Sequence, residues 1–235
     1  PNSIIFYPSK EHDIAAMRNE FENIPIETVE DALDEIDDPP AGIPFEAISF
    51  LRATPTTPEL INRITFAIEH AYDTAVIAAG DFSEVSPLWY TVVAETHLSP
   101  EYIEPTIRLV TSTTNDWDFL NEQAQYLISL LAEKYPEQVA AATMKSIDAA
   151  LQLDLRTPYL FLFDVFRIVN VKKYVPWLLQ TMAHPNNNWK APFADLILQL
   201  QLTEAIPVLE QVVQVLESSE PRAMMIGYSE ARQIA

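Results

Sequence analysis

Residues 164–179, DVFRIVNVKKYVPWLL, lie without a gap over residues 195–210, DLILQLQLTEAIPVLE, at an offset of 31 residues. A repeat of this length is the signature of a helical solenoid, in which each unit buries its apolar face only against its neighbours. What recurs is the apolar pattern and a proline, Pro176 over Pro207, while Asp164 and Asp195 form the only polar identity. The repeat therefore specifies packing and carries no reaction.

The punctuation of the rest of the chain agrees. Three glycines (Gly42, Gly80, Gly227) stand against 18 prolines. Phosphate-cradling loops, dinucleotide-binding turns and tight hairpins all consume glycine, so nucleotide-binding loops are not expected. Proline is tolerated in the first turn of a helix, where its missing N–H would be unpaired anyway. Thr57-Pro58, Ser86-Pro87, Ser99-Pro100 and Thr157-Pro158 each join a capping hydroxyl to such a proline.

Helical spacing of apolar residues predicts helices over Ile43–Arg52, Pro58–Asp73, Ala75–Ala79, Pro87–Thr96, Pro100–Thr111, Trp117–Lys134, Pro136–Leu151, Pro158–Asn170, Lys173–Ala183, Trp189–Leu200, Glu204–Glu217 and Pro221–Gln233. Two more precede Pro39-Pro40, one capped by Asp13 and one running from Ile26 to Ile36, and Ile4-Ile5-Phe6-Tyr7 is too short to classify. No run alternates with period two between turn residues, so the class is all-α.

Extending the repeat backwards, Tyr102-Ile103-Glu104-Pro105 matches Tyr174-Val175-Pro176 with one extra residue, and Gln138-Val139-Ala140 takes the same place after Pro136. Glu204-Ala205-Ile206-Pro207-Val208-Leu209, with Tyr174-Val175-Pro176-Trp177-Leu178 in part, resembles the short form of the HEAT repeat, whose second helix opens with Glu-Ala-Ile-Pro-x-Leu. The resemblance covers residues 87–217. It implies an α-solenoid of stacked antiparallel helical hairpins, with the second helices lining a concave surface that binds a partner. On this reading residues 1–86 form an acidic N-terminal helical cap or subdomain and residues 87–235 the HEAT-like repeats.

Charge narrows the partners. The chain carries a net −20, with 4 basic and 17 acidic side chains in residues 1–86 (net −13) and 10 against 17 in residues 87–235 (net −7). Such a field repels phosphate backbones and anionic lipid, which excludes nucleic acid and membrane surfaces and leaves a protein partner, a basic one being permitted by the field. No apolar run reaches the roughly 20 residues of a spanning helix. The longest, Thr157–Val169, contains Asp164 and Arg167. The chain has no cysteine, and its first residues lack a basic start followed by an apolar stretch. A cytoplasmic protein is expected.

Few residues suggest chemistry. His12, His70, His97 and His184 are scattered outside any metal-binding spacing; His70 is expected to face solvent, and His184 to sit at a helix C-terminus. The acidic run Glu30–Asp38 lacks the spacing and glycine of a calcium loop and reads as a solvated helix face. Asp164 and Asp195 invite a paired-carboxylate reading, but neighbouring units lie about one helix diameter, ~10 Å, apart. No serine sits in a nucleophile elbow. The expectation is a non-enzymatic protein-interaction module without cofactor or metal. The alternatives are an acidic inhibitor or immunity-type protein that neutralises a basic partner, and a HEAT-like lyase or other enzyme.

Candidate partner-binding residues follow from the second helices. Trp177 points sideways from the stripe Val175, Leu178, Leu179 and Met182, either into the neighbouring unit or onto the concave face as an anchor. Gln180, Gln211 and Gln214 mark the outer faces of the same helices. Lys173 differs between the repeats, where it stands opposite Glu204.

Overall fold

A computed structural model of the chain describes residues 26–39, 42–112, 118–153, 162–163, 165–187 and 190–218. Among these residues there are twelve α-helices and no strand: α1 Val29–Asp37, α2 Phe45–Ala53, α3 Pro58–Glu69, α4 Thr74–Ala79, α5 Ser86–Ala94, α6 Ile103–Val110, α7 Asp118–Lys134, α8 Pro136–Gln152, α9 Val165–Ile168, α10 Val175–Ala183, α11 Lys190–Gln199 and α12 Ile206–Ser218. The expected elements at Ile4–Tyr7, behind Asp13 and over Pro221–Gln233 fall outside the described residues, as do Thr157-Pro158, Asp164 and the first turn, 158–161, of the predicted helix from Pro158.

Two interleaved series of helices share the core. Helix α2 packs on α5, α5 on α7 and α7 on α9; in the other series α3 packs on α6, α6 on α8, and α10 on α12. Cross-contacts of α3 with α5, α6 with α7, and α7 with α8 join the two. The apolar cluster they enclose runs from Ala32 and Ile36 through Leu51, Ile64, Tyr90, Leu127, Leu131 and Ile147 to Phe166, Phe193 and Ala205. It crosses the expected boundary at residue 86, where α3 lies against both α5 and α6.

Second-series helices begin as the prolines predict. Pro58 and Pro136 open α3 and α8, and Pro176 and Pro207 lie in the first turns of α10 and α12. Thr57 caps α3 by accepting from the Leu60 N–H, and Ser99 accepts from Glu101. Short 3-10 turns, Pro100–Tyr102, Val171–Lys173 and Thr203–Ala205, lead into α6, α10 and α12. At the 31-residue offset Val165 and Leu196, and Phe166 and Ile197, are buried and Arg167 and Leu198 exposed, whereas Leu178 is buried and Leu209 half-buried, and Tyr174 is half-buried and Ala205 buried.

Two expectations are corrected. Ser86 does not cap α5, which begins at Ser86 itself; its buried hydroxyl donates instead to the Asp37 carbonyl, one of the orphan acceptors at the end of α1. The predicted helix Pro58–Asp73 stops at Glu69, because Asp73 Oδ1 accepts from the N–H groups of Ala75 and Val76 and starts α4. At the end of α11, Gln201 adopts φ 53, and the Leu202 N–H reaches back to the Ile197 carbonyl. This is the left-handed helix stop that glycine normally fills.

Candidate functional site

A groove of about 730 Å³ runs along α8 of the second series. Glu137, Ala141, Met144, Lys145, Asp148, Ala149 and Gln152 line one side and Tyr174 the other. On a helix that rises 1.5 Å per residue, these positions form one stripe roughly 22 Å long. Its floor is alanine and methionine, small or adaptable groups that let another chain approach closely.

Each charged side chain in the stripe is already held. Glu137 accepts from Lys173 Nζ at 2.5 Å, Lys145 donates to Glu104 of α6 at 2.8 Å, and Asp148 accepts the Trp177 indole N–H at 2.9 Å. The hydrogen bond and charge of Lys173 hold the Glu137 carboxyl below its ordinary range, and Glu137 in turn raises Lys173. Lys145 does the same to Glu104. A second cleft, of about 370 Å³, lies between the α7–α8 turn and Asn170, is lined in part by Lys173, and shares Glu137 and Tyr174 with the first. Glu137 thus lines both hollows, and its partner Lys173 lines the second.

The sequence-predicted residues separate into two groups. Trp177 is half-buried, tilted over Phe166 at 5.3 Å between ring centroids, and tied to Asp148 of α8, the geometry of packing between helices. Lys173 is exposed at the groove's edge, within its ion pair. Gln180, Gln211 and Gln214 are exposed on α10 and α12, beyond the groove. Of the two repeated aspartates, Asp195 is described: it accepts from Gln199 at 2.7 Å and faces Arg167 at 3.8 Å.

The described histidines have local partners. His97 is buried, its Nε2 donating to the Leu51 carbonyl at 2.8 Å and its Nδ1 bonded to the Thr56 hydroxyl. His70, expected in solvent, is half-buried on Phe66 and bonded to Asp73. At His184 the imidazole Nδ1 accepts from the Asn186 N–H, and Lys190 serves the end of α10 instead, donating to the carbonyls of Met182 and His184. Burial holds the Lys190 ammonium below its ordinary range.

A polar junction that sequence reading missed joins α1, α3 and α5. Arg63 donates to Asp37 Oδ2, to the Asp81 carbonyl at 2.6 Å and to Tyr90 Oη at 3.2 Å, while Tyr90 donates to Asp37 Oδ1 at 2.7 Å. Burial pushes the Asp37 carboxyl up, and Tyr90 and Arg63 offset that only in part; burial and the neighbouring Asp37 raise Tyr90 far above its ordinary range. The acidic run is therefore not a uniform solvated face, because Asp37 points inward. A lone arginine on an apolar helix face, Arg63 among Ile64, Phe66 and Ala67, was the available signal.

Among the described residues no group of three histidine or carboxylate side chains is placed to hold a metal ion, and no helix is long and apolar enough to cross a membrane. Compared with protein-family models, curated proteins and solved structures, the chain finds no match in any of the three.

Proposed function

We propose that the chain is a non-enzymatic protein-interaction module, a HEAT-like stack of helical hairpins whose second-series helices receive a partner along α8. The observation that carries this reading is the groove itself, an open stripe with an alanine and methionine floor whose charged rim is bonded within the protein. Side chains so engaged are poor acids, bases or nucleophiles, whereas an apolar floor inside a polar rim is the anatomy of an interface. The ladder of contacts along each series supports the stacked plan.

The test is comparative affinity capture from the native lysate with the full chain and with Ala141→Glu/Ala149→Glu. Both alanines are exposed helical positions, so the substitution fills the groove without touching the core. A protein retained by the native chain and lost with the variant supports the reading. Identical capture by both sinks it.

A second reading, an acidic inhibitor that neutralises a basic partner, is favoured by a separate observation. Both cations described between residues 26 and 86 are held by carboxylates of the chain itself, Arg52 by Glu95 at 3.1 Å and Arg63 by Asp37. The surface of that region is left strongly negative.

A further inference from the structure

The outward stripe of α8 is complementary to its own reversal. Reflected through its midpoint, between Lys145 and Asp148, Lys145 falls on Asp148, Met144 on Ala149 and Ala141 on Gln152. All six residues line the groove along α8, with Glu137 and Tyr174 completing it. A second α8 laid antiparallel in the groove therefore meets base with acid twice, and places a long side chain over an alanine four times. That is the condition of an isologous twofold contact, in which residue i of one copy meets j of the other and j meets i.

The bonds within the chain leave both charges able to serve a second partner. Lys145 spends one of its three N–H donors on Glu104, and Asp148 accepts the Trp177 indole on Oδ1. Nor does the charge of the chain exclude a copy here. Its −20 repels an identical molecule as a whole, but the groove and its rim hold Lys145 and Lys173 against Glu104, Glu137 and Asp148, close to balance. At physiological ionic strength a Debye length of ~8 Å screens the more distant carboxylates.

We propose that the groove along α8 receives a second copy of the chain, α8 antiparallel to α8 about a twofold axis between Lys145 and Asp148, with Lys145 of each copy on Asp148 of the other. The inference rests on the groove reading and names its partner. A stripe roughly 22 Å long and one helix, ~10 Å, wide falls short of the about 800 Å² per partner of a stable dimer, so the association is weak and depends on concentration.

The experiment is sedimentation equilibrium of the full chain from about 5 to 500 µM at physiological salt. The average mass is expected to climb towards that of a dimer across this range. Lys145→Asp and Asp148→Lys each set like charges against one another and weaken self-association at least about tenfold. Mixed in equal amounts the two variants regain opposite charges across the contact, and association returns to within about threefold of the native chain. The mixture carries the native average charge, so net charge does not account for the recovery.

The Lys145 side chain is 74% exposed, so its variant folds. Asp148→Lys releases the Trp177 indole, so melting curves accompany every variant; Ala141→Glu/Ala149→Glu is the second probe of the same face and is expected to leave the chain monomeric. A native chain monomeric at the highest concentration overturns the inference. So does self-association indifferent to either charge swap, or a mixture of folded swaps no stronger than each alone. If the chain stays monomeric while lysate capture still separates it from Ala141→Glu/Ala149→Glu, the groove reading stands without the inference; if neither occurs, both fall.

Discussion

Replacing Tyr90 with phenylalanine removes one oxygen and asks whether the α1–α3–α5 junction is held by its polar network or by packing alone. The ring is fully buried and phenylalanine fills the same space. Lost are a 2.7 Å bond to Asp37 and a 3.2 Å bond from Arg63. Hydrogen bonds to charged groups contribute about 1.5 to 3 kcal/mol each, the longer one least. The side chains of Asp37 and Arg63 keep 21% and 24% of their exposure, so water replaces part of what is lost. The expected cost is about 2 kcal/mol, which lowers Tm by about 4 to 8 °C for a chain of this size. Urea unfolding of Tyr90→Phe, Asp37→Asn and the double variant closes a cycle whose coupling should be about 1 kcal/mol. A single variant within about 0.5 kcal/mol of the native chain, or a coupling of zero, refutes the claim that this network fastens α1 to the rest.

Gln201→Gly relieves the left-handed stop of α11 and should raise stability by about 1 kcal/mol in urea titrations; a loss would show that the Gln201 side chain makes a contact worth more than its backbone strain. Thr57→Ala removes the cap of α3 and should cost about 1 kcal/mol, read the same way. Trp177→Phe keeps most of the contact with Phe166 but leaves Asp148 without its donor, for a loss of about 1 kcal/mol and no effect on lysate capture; lost capture with unchanged stability would make Trp177 an anchor instead. Glu35→Gln should raise Tm at pH 7, because burial and then the Glu46 charge hold the folded carboxyl above its ordinary range and penalise its charge. The unfolded group titrates near ~4.3, so the gain is full above the folded value, fades as pH falls through it and disappears below about pH 4. A gain that persists at pH 3 would contradict that cause.

The all-helical class was legible because apolar spacing and proline placement repeat one message. Pro58 and Pro136 stand at the helix starts they mark, and Thr57 and Ser99 cap as their side chains suggest. The 3-10 turn at Val171–Lys173 was not legible, since nothing in Val-Lys-Lys distinguishes it from a helical first turn. Nor can sequence separate Asp37 from Asp38: only the packing of α1 on α5 turns one inward to Tyr90 and leaves the other exposed. The groove was hidden for a related reason. Ala141 and Ala149 look like ordinary helix formers until α10 is set beside them, and Trp177 finds Asp148 across 29 residues of chain. Periodicity tells which face is buried; it is silent about which neighbour buries it.

The cross-helix ion pairs have a sense of direction. Among the described residues the second-series pairs run from acid to base, Glu69 to Arg108, Glu104 to Lys145 and Glu137 to Lys173, while Arg52 to Glu95, from α2 to the end of α5, and Arg167 to Asp195, from α9 to α11, run from base to acid. Exposed pairs like these add little to stability. They do act as a key: a hairpin turned end for end, or a second copy stacked back to front, would set acid against acid along one layer and base against base along the other. The order in which the helices pack is thus marked by the sign of these pairs, which would penalise the reversed order.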